Sequence, residues 1–333
     1  MTDPMAGIAT RCRLAVCATL GALVMALHST AVLAHEWIVA PDGSGDAATI
    51  QEAVDLATDG DTLILGDGVF RGEGNRGIEI VLKWIGIRSE SGDPSRCVID
   101  CEGVDRAFLV RYAGGLVVLE GLGIRNGLPD QDFGGAIACV HTEIELRNCD
   151  VRDCTAWQAG ACHFQSSEVT IEKCVFARNQ STLVNAGALL AVWSNLAIRR
   201  CTIVGTGTPS SEYGAITVAL QSHAEVIGSL VTGTTTGRGV WVSDDSDVTL
   251  SCTDLFGNQD GDWVGPIADQ ADVSGNFSAD PLFCDSEEYE IAADSPCAPP
   301  GITGCGPVGA KIVGCGPLSI EELGWARVKA FYR

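Results

Sequence analysis

Gly135-Ala136-Ile137-Ala138-Cys139-Val140, Gly160-Ala161-Cys162-His163-Phe164-Gln165, Gly187-Ala188-Leu189-Leu190-Ala191-Val192 and Gly214-Ala215-Ile216-Thr217-Val218-Ala219 can be laid on one another, with Gly239-Val240-Trp241 as a fifth, weaker copy. The starts are 25, 27, 27 and 25 residues apart. Cys149, Cys174 and Cys201 each follow their start by 14 residues, whereas Ser229 comes one place late and Cys252 one place early. A period in the twenties with strand-type alternation inside it predicts a solenoid in which each unit is one coil.

Two and four residues after each start stand Ile137/Cys139, Cys162/Phe164, Leu189/Ala191, Ile216/Val218 and Trp241/Ser243. All but Ser243 are apolar, so these positions are expected to face inward. The alternate positions, Ala138/Val140, His163/Gln165, Leu190/Val192, Thr217/Ala219 and Val242/Asp244, should face outward. A second strand follows, with Ile144 and Leu146, Val169 and Ile171, Leu196 and Ile198, and Val248 and Leu250 inward. Its outward positions carry Arg147, Glu172 and Arg199 in successive coils, an alternation of charge that supports this register. Turn residues such as Asp153, Arg178-Asn179, Gly205-Thr206 and Gly257-Asn258 then close each coil.

Weaker coils extend the pattern both ways, through Thr62–Leu65, Ile78–Val81 and Cys97–Asp100 upstream. Downstream, Leu282-Phe283 and Tyr289-Glu290-Ile291 suggest a last, degenerate coil. Ile50, Ala53, Val54 and Ala57 share a helical face behind Thr49 as N-cap, with Glu52 completing a capping box, and predict an amino-terminal capping helix. The three segments expected are a signal peptide at 1–34, a solenoid at 35–316 (cap 35–61, clearest repeats 135–260) and a tail or cap at 317–333.

The leader reading rests on Arg11 and Arg13 before an apolar run from Leu14 to Leu27, with Val32-Leu33-Ala34 as the cleavage point. No later run is long enough to cross a bilayer, so an exported product is expected, secreted or held at the cell surface or in the periplasm. The net charge of −22 offers no basic footprint for nucleic acid and would repel an anionic polymer unless calcium or a local basic patch intervened. Of 15 cysteines, Cys149, Cys174, Cys201 and Cys252 recur at matching points and read as an interior column of free thiols. Disulfides are expected instead among Cys284, Cys297, Cys305 and Cys315, and between Cys97 and Cys101.

Val39-Ala40-Pro41-Asp42-Gly43-Ser44-Gly45-Asp46, then Thr49-Ile50-Gln51-Glu52-Ala53-Val54 and Asp59-Gly60-Asp61-Thr62-Leu63, resemble the opening of pectin methylesterases and other pectin-lyase-like proteins. Asp280-Pro281-Leu282-Phe283-Cys284 and Asp294-Ser295-Pro296-Cys297 resemble the closing segment of exported bacterial β-helix repeat proteins, a group mostly without assigned function. The resemblance implies an all-β fold, a right-handed parallel β-helix. It carries no catalytic residues across, because the L-G-R-P-W, N-T-D, G-H-G and D-P-H-D motifs of the enzymes are absent. Fold by itself assigns no activity.

His141, His163 and Trp193, near the ends of three first strands, are the candidate ligand-binding residues, with Gln165 adding hydrogen bonds to a sugar ring. Asp244, Asp245 and Asp247, with Asp260 and Asp262 nearby, are the candidate oxygen ligands for calcium. The outward apolar stripe through Ala138, Val140, Leu190, Val192, Ala219 and Val242 calls for a cover, for which Trp325, Phe331 and Tyr332 of the tail are the expected source. The expected function is a non-catalytic exported interaction module that recognises polysaccharide or cell-surface glycan. The alternative is a polysaccharide lyase or glycoside hydrolase with an unfamiliar active site.

Overall fold

The computed structural model describes residues 34–183, 185–301 and 304–316. The expected signal peptide, apart from Ala34, and the tail at 317–333 with Trp325, Phe331 and Tyr332 lie outside them. Three parallel sheets form the walls of a prism wound in right-handed coils. The first wall has seven strands, from Ile78–Val81 through Ile137–Val140 to Arg238–Val242. The second has nine, from Glu36–Val39 through Glu143–Arg147 to Asp247–Ser251. The third has eight short strands, from Gly68–Phe70 through Asp150–Arg152 to Asp254–Phe256. Ile137, Cys162, Leu189 and Ile216 stack in the expected register, and so do Arg147, Glu172 and Arg199. The arginine ion pairs run elsewhere on that face, Arg147 to Glu145 at 2.6 Å and Arg199 to Glu225 at 2.7 Å.

Inward residues of all three walls make one core, with Phe70, Phe108, Phe164 and Phe176 fully buried. The amino-terminal helix runs Ile50–Leu56 and adds Ile50, Ala53 and Val54 to that core. The Thr49 Oγ1 accepts from the Glu52 amide at 3.2 Å, and the Glu52 carboxylate accepts from the Ala48 amide at 2.8 Å. The first contact satisfies an amide that a first helical turn leaves unpaired, and the second ties the residue before the N-cap to the helix.

Each coil turns three corners, and at each corner one residue adopts a left-handed conformation, as His141, Asn148 and Asp153 do in one coil with φ of 50°, 48° and 55°. Beside that residue an inward polar side chain ties successive coils together. At the first corner the amide of Thr142 donates to Ser167 Oγ, that of Ser167 to Ser194 Oγ, and that of Ser194 to Ser222 Oγ, at 3.0–3.3 Å. The expected cysteine column does the same at the second corner. The Cys149 amide donates to Cys174 Sγ at 3.4 Å, and the Cys174 thiol donates to the Leu146 carbonyl at 3.5 Å. Cys149, Cys174 and Cys201 are buried free thiols, as are Cys97 and Cys101. The third corner uses Asn179 and Asn258, whose amides bridge Cys154 N to Val151 O and Thr234 N to Val231 O.

Three expectations need correction. In the fifth repeat Ile216 pairs with Val240 and Thr217 with Trp241, so Val240 and Val242 face inward and Trp241 and Ser243 do not. A one-residue slip inverts every side chain, and the glycine alignment made that slip. Second, Cys252 is not part of the thiol column. It occupies the left-handed corner position with φ of 50°, and Thr253 takes the column site, its Oγ1 donating to Val226 O at 3.2 Å. Facing outward, Cys252 forms a disulfide with Cys305, while Cys284 pairs with Cys315, Cys297 stays free and Cys97 does not pair with Cys101.

Third, residues 277–316 do not build another coil. Phe283 and Ile291 meet in an antiparallel bridge, and the segment runs back as a strap over the outer face of the third wall. Phe277, Ile291, Ala298 and Val308 pack on Leu230, and Tyr289 on Val175 and Ala177. The Gly309 amide donates to Gly228 O at 2.8 Å and that of Ala310 to Thr202 Oγ1 at 2.9 Å. Beneath the strap Arg152 and Asp150, each 3% exposed, form an ion pair, and Arg152 also donates to the Glu287 carbonyl.

Candidate functional site: the corner between the first and second walls

After six of the seven first-wall strands the corner places a residue in the left-handed region: Leu82, Tyr112, His141, Ser166, Trp193 and Leu220, with φ between 50° and 56°. That backbone favours Gly and Asn and costs other residues roughly 1–2 kcal/mol. The other two corners follow the preference in part, with Gly121, Asn148 and Gly228 at one and Asn126, Gly205, Gly233 and Gly257 at the other. The first corner holds neither type. It presents Leu82 (72% exposed), Tyr112 (52%), Trp193 (49%) and Leu220 (44%) instead. The imidazole of His141 stacks on the Tyr112 ring, centroids 5.3 Å apart and planes 15° apart. With coils about 4.8 Å apart, these six positions span a ridge of about 24 Å.

His141 and Trp193 therefore belong to one exposed ridge, two coils apart. His163 does not join them. It faces outward from the first wall as the alternation requires, but Phe133 of the preceding loop stacks over it at 5.1 Å and leaves it 5% exposed. Burial pushes its imidazole down to about 4, with the Asp132 carboxylate opposing and the Arg106 guanidinium assisting. A neutral, covered imidazole is not available to a ligand. Gln165 is half-buried on the same wall. Tyr112, Leu82 and Leu220 carry no signal in the strand alternation, because they stand just past the strand ends. His141, Ser166, Trp193 and Leu220 all stand six residues after their repeat glycines, and that offset would have found the column.

Local loops cover the remaining outward stripe. Leu190 packs with Ala159 and Ala186, and Tyr213 lies edge-on to Trp241 at 5.5 Å. Further towards the amino terminus the same wall carries an exposed acid–base pair, Arg111 Nη2 to Glu79 Oε2 at 3.1 Å. Two of the three candidate calcium ligands are engaged separately. Ser243 Oγ donates to Asp245 at 2.5 Å and holds that carboxyl below its usual range, while Asp247 lies 2.5 Å from His223 Nδ1. Asp244 is exposed beside them. Among the described residues no group of three or more His, Cys, Asp or Glu side chains is arranged to hold a metal ion.

Residues 103–255 match the family described as a right handed beta helix region. Among solved structures the chain is similar to a pectin methylesterase from carrot, at 15% identity and a TM-score of 0.38, over 78% of this chain and 92% of that one. No curated protein matches. No helix among the described residues is long and apolar enough to cross a membrane, and the two disulfides fit an oxidising compartment.

Proposed function

Taking the chain as a right-handed parallel β-helix protein, we propose that it is an exported, non-catalytic interaction module that holds a polysaccharide or cell-surface glycan along the ridge at its first corner. The observation that carries this reading is the choice of residues there. The fold needs a left-handed backbone at that corner and is indifferent to an aromatic side chain, yet Tyr112, His141 and Trp193 occupy it, exposed and in line. Flat rings in a row offer the apolar faces on which successive sugar rings stack, and the ridge spans several such rings.

Retardation of the exported protein in gels containing soluble polysaccharides tests the proposal. At least one polymer should slow the wild type, and Tyr112→Ala with Trp193→Ala should weaken that effect by about tenfold or more. The reading fails if no polymer retards the protein or if the double variant binds as the wild type does. A second reading, an enzyme acting on polysaccharide, is favoured by the Glu79–Arg111 pair beside Tyr112. Release of reducing ends or unsaturated products by the wild type, abolished in Arg111→Gln, would establish that reading in place of the first.

A further inference from the structure

Beside the amino-terminal end of the ridge, a groove of about 580 Å³ crosses the outer face of the second wall. Trp84 forms its side and Arg88 and Glu120 close its far end. The indole is held flat over two glycines. A Cβ on Gly115 would lie 2.9 Å from its Cγ, and one on Gly60 would lie 3.1 Å from its Cη2. Its backbone is fixed as well, by the Asp59 carboxylate accepting from the Trp84 amide at 3.0 Å and by the Gly60 amide donating to the Trp84 carbonyl at 2.8 Å. Gly86, between Thr62 and Val118 in the register, leaves the floor low at the centre. Trp84 nonetheless remains 39% exposed. A tryptophan set over glycines with its side open to solvent leaves apolar surface that packing within the chain does not use.

We infer that this groove is a subsite for the pyranose ring of a neutral saccharide, an inference that rests on the glycan-binding reading of the adjoining ridge. The volume falls in the range of small-ligand sites. The indole supplies a flat apolar wall for the C–H face of a sugar. Arg88 and Glu120, partners across neighbouring strands, supply donors and an acceptor for its hydroxyls. Arg88 is only loosely engaged, 3.4 Å from the exposed Glu36 carboxylate, so its guanidinium can turn to a ligand. The groove's own charges, Arg88 and Glu120, cancel, while Glu36 beside Arg88 and a chain charge of −22 disfavour a uronic acid. An uncharged sugar fits both conditions.

Titration calorimetry of the exported protein with cellohexaose, xylohexaose, mannohexaose and hexagalacturonate tests the assignment. At least one neutral hexasaccharide should bind at pH 7, with hexagalacturonate about tenfold weaker or worse. Trp84→Ala should weaken the neutral ligand by about tenfold, and Trp84→Phe should keep affinity within about threefold. If Trp84→Ala does not fold, Gly86→Val fills the floor of the groove with a side chain suited to a strand and should give the same loss. The assignment is overturned if no neutral hexasaccharide binds, if hexagalacturonate binds better, or if Trp84→Ala and Gly86→Val bind as the wild type does. A polymer interaction lost in Tyr112→Ala with Trp193→Ala but kept in Trp84→Ala would sink the groove and leave the ridge.

Discussion

Burial holds the His163 imidazole neutral in the folded chain, its pKa pushed down to about 4. Unfolding releases it to the ordinary histidine value near 6.5, so the unfolded state takes up a proton first as the pH falls. His163 should therefore contribute a loss of stability between about pH 6.5 and 4, by roughly 3 kcal/mol at most, and His163→Phe should remove that contribution in urea unfolding at stepped pH. An unchanged profile in the variant would assign the acid limb to other groups. Cys174 provides a second residue-level test. Its thiol occupies the site that a hydroxyl fills at Ser229 and Thr253, accepting an amide and donating to a carbonyl. Cys174→Ser should cost under about 1 kcal/mol, whereas Cys174→Val strands the Cys149 amide and should cost about 1–3 kcal/mol. Alternation along a strand correctly placed His163 on the outer face. It could not show the cover, because Phe133 arrives from a loop with no periodicity of its own.

At the scale of elements, the strap is where sequence and structure part most. Third-wall strands other than Cys97–Asp100 are three residues long, so each shows a single inward side chain between two outward ones, such as Val151 between Asp150 and Arg152. Three residues are too few to display a period, so Cys97–Asp100 alone of this wall is legible as a strand. Without the wall, the strap has no evident surface to lie on, and Leu282-Phe283 and Tyr289-Glu290-Ile291 suggest another coil. Its contacts make two predictions. Arg152→Ala leaves the Asp150 carboxylate buried without its partner and should cost about 3–5 kcal/mol in urea unfolding. Asp254, fully buried and hydrogen-bonded to Cys297 of the strap at 3.3 Å, has its carboxyl pushed up to about 7 by burial. The folded state therefore keeps a proton that the unfolded state has already lost above about pH 4. Asp254 should therefore contribute a decline in stability as the pH rises from about 4 towards 7, opposite in sign to the His163 contribution over the same range. Asp254→Asn should remove that decline, seen as a steeper rise of stability with pH than in the wild type. A decline that persists in the variant would place its origin elsewhere.

Across the whole molecule, the period, the inward faces of the first four repeats and the amino-terminal helix were legible because they depend on local sequence. The Cys284–Cys315 bond, internal to the strap, falls among the four cysteines expected to pair, whereas Cys252–Cys305 was not legible, because it joins the strap to a site set by the winding. Cys252 shows why: a shift of one residue takes a side chain from the interior column to an outward corner, and only the three-dimensional register separates those fates. The disulfides close segments 53 and 31 residues apart. Reduction should lower stability by on the order of 2–4 kcal/mol per bond, read as a fall in the thermal midpoint with added phosphine. A midpoint unmoved by reduction would show that packing alone holds the strap.

The corner ladders have one more consequence. Thr142, Ser167, Ser194 and Ser222 offer the same donor and acceptor to whichever coil comes next, so no coil is chemically addressed to a particular neighbour. A chain of this kind can gain or lose a whole winding and still close every junction. Its exposed corner ridge then changes length in fixed steps of about 4.8 Å. Reach becomes a matter of counting windings, and the residue at each step can be exchanged without renegotiating the frame.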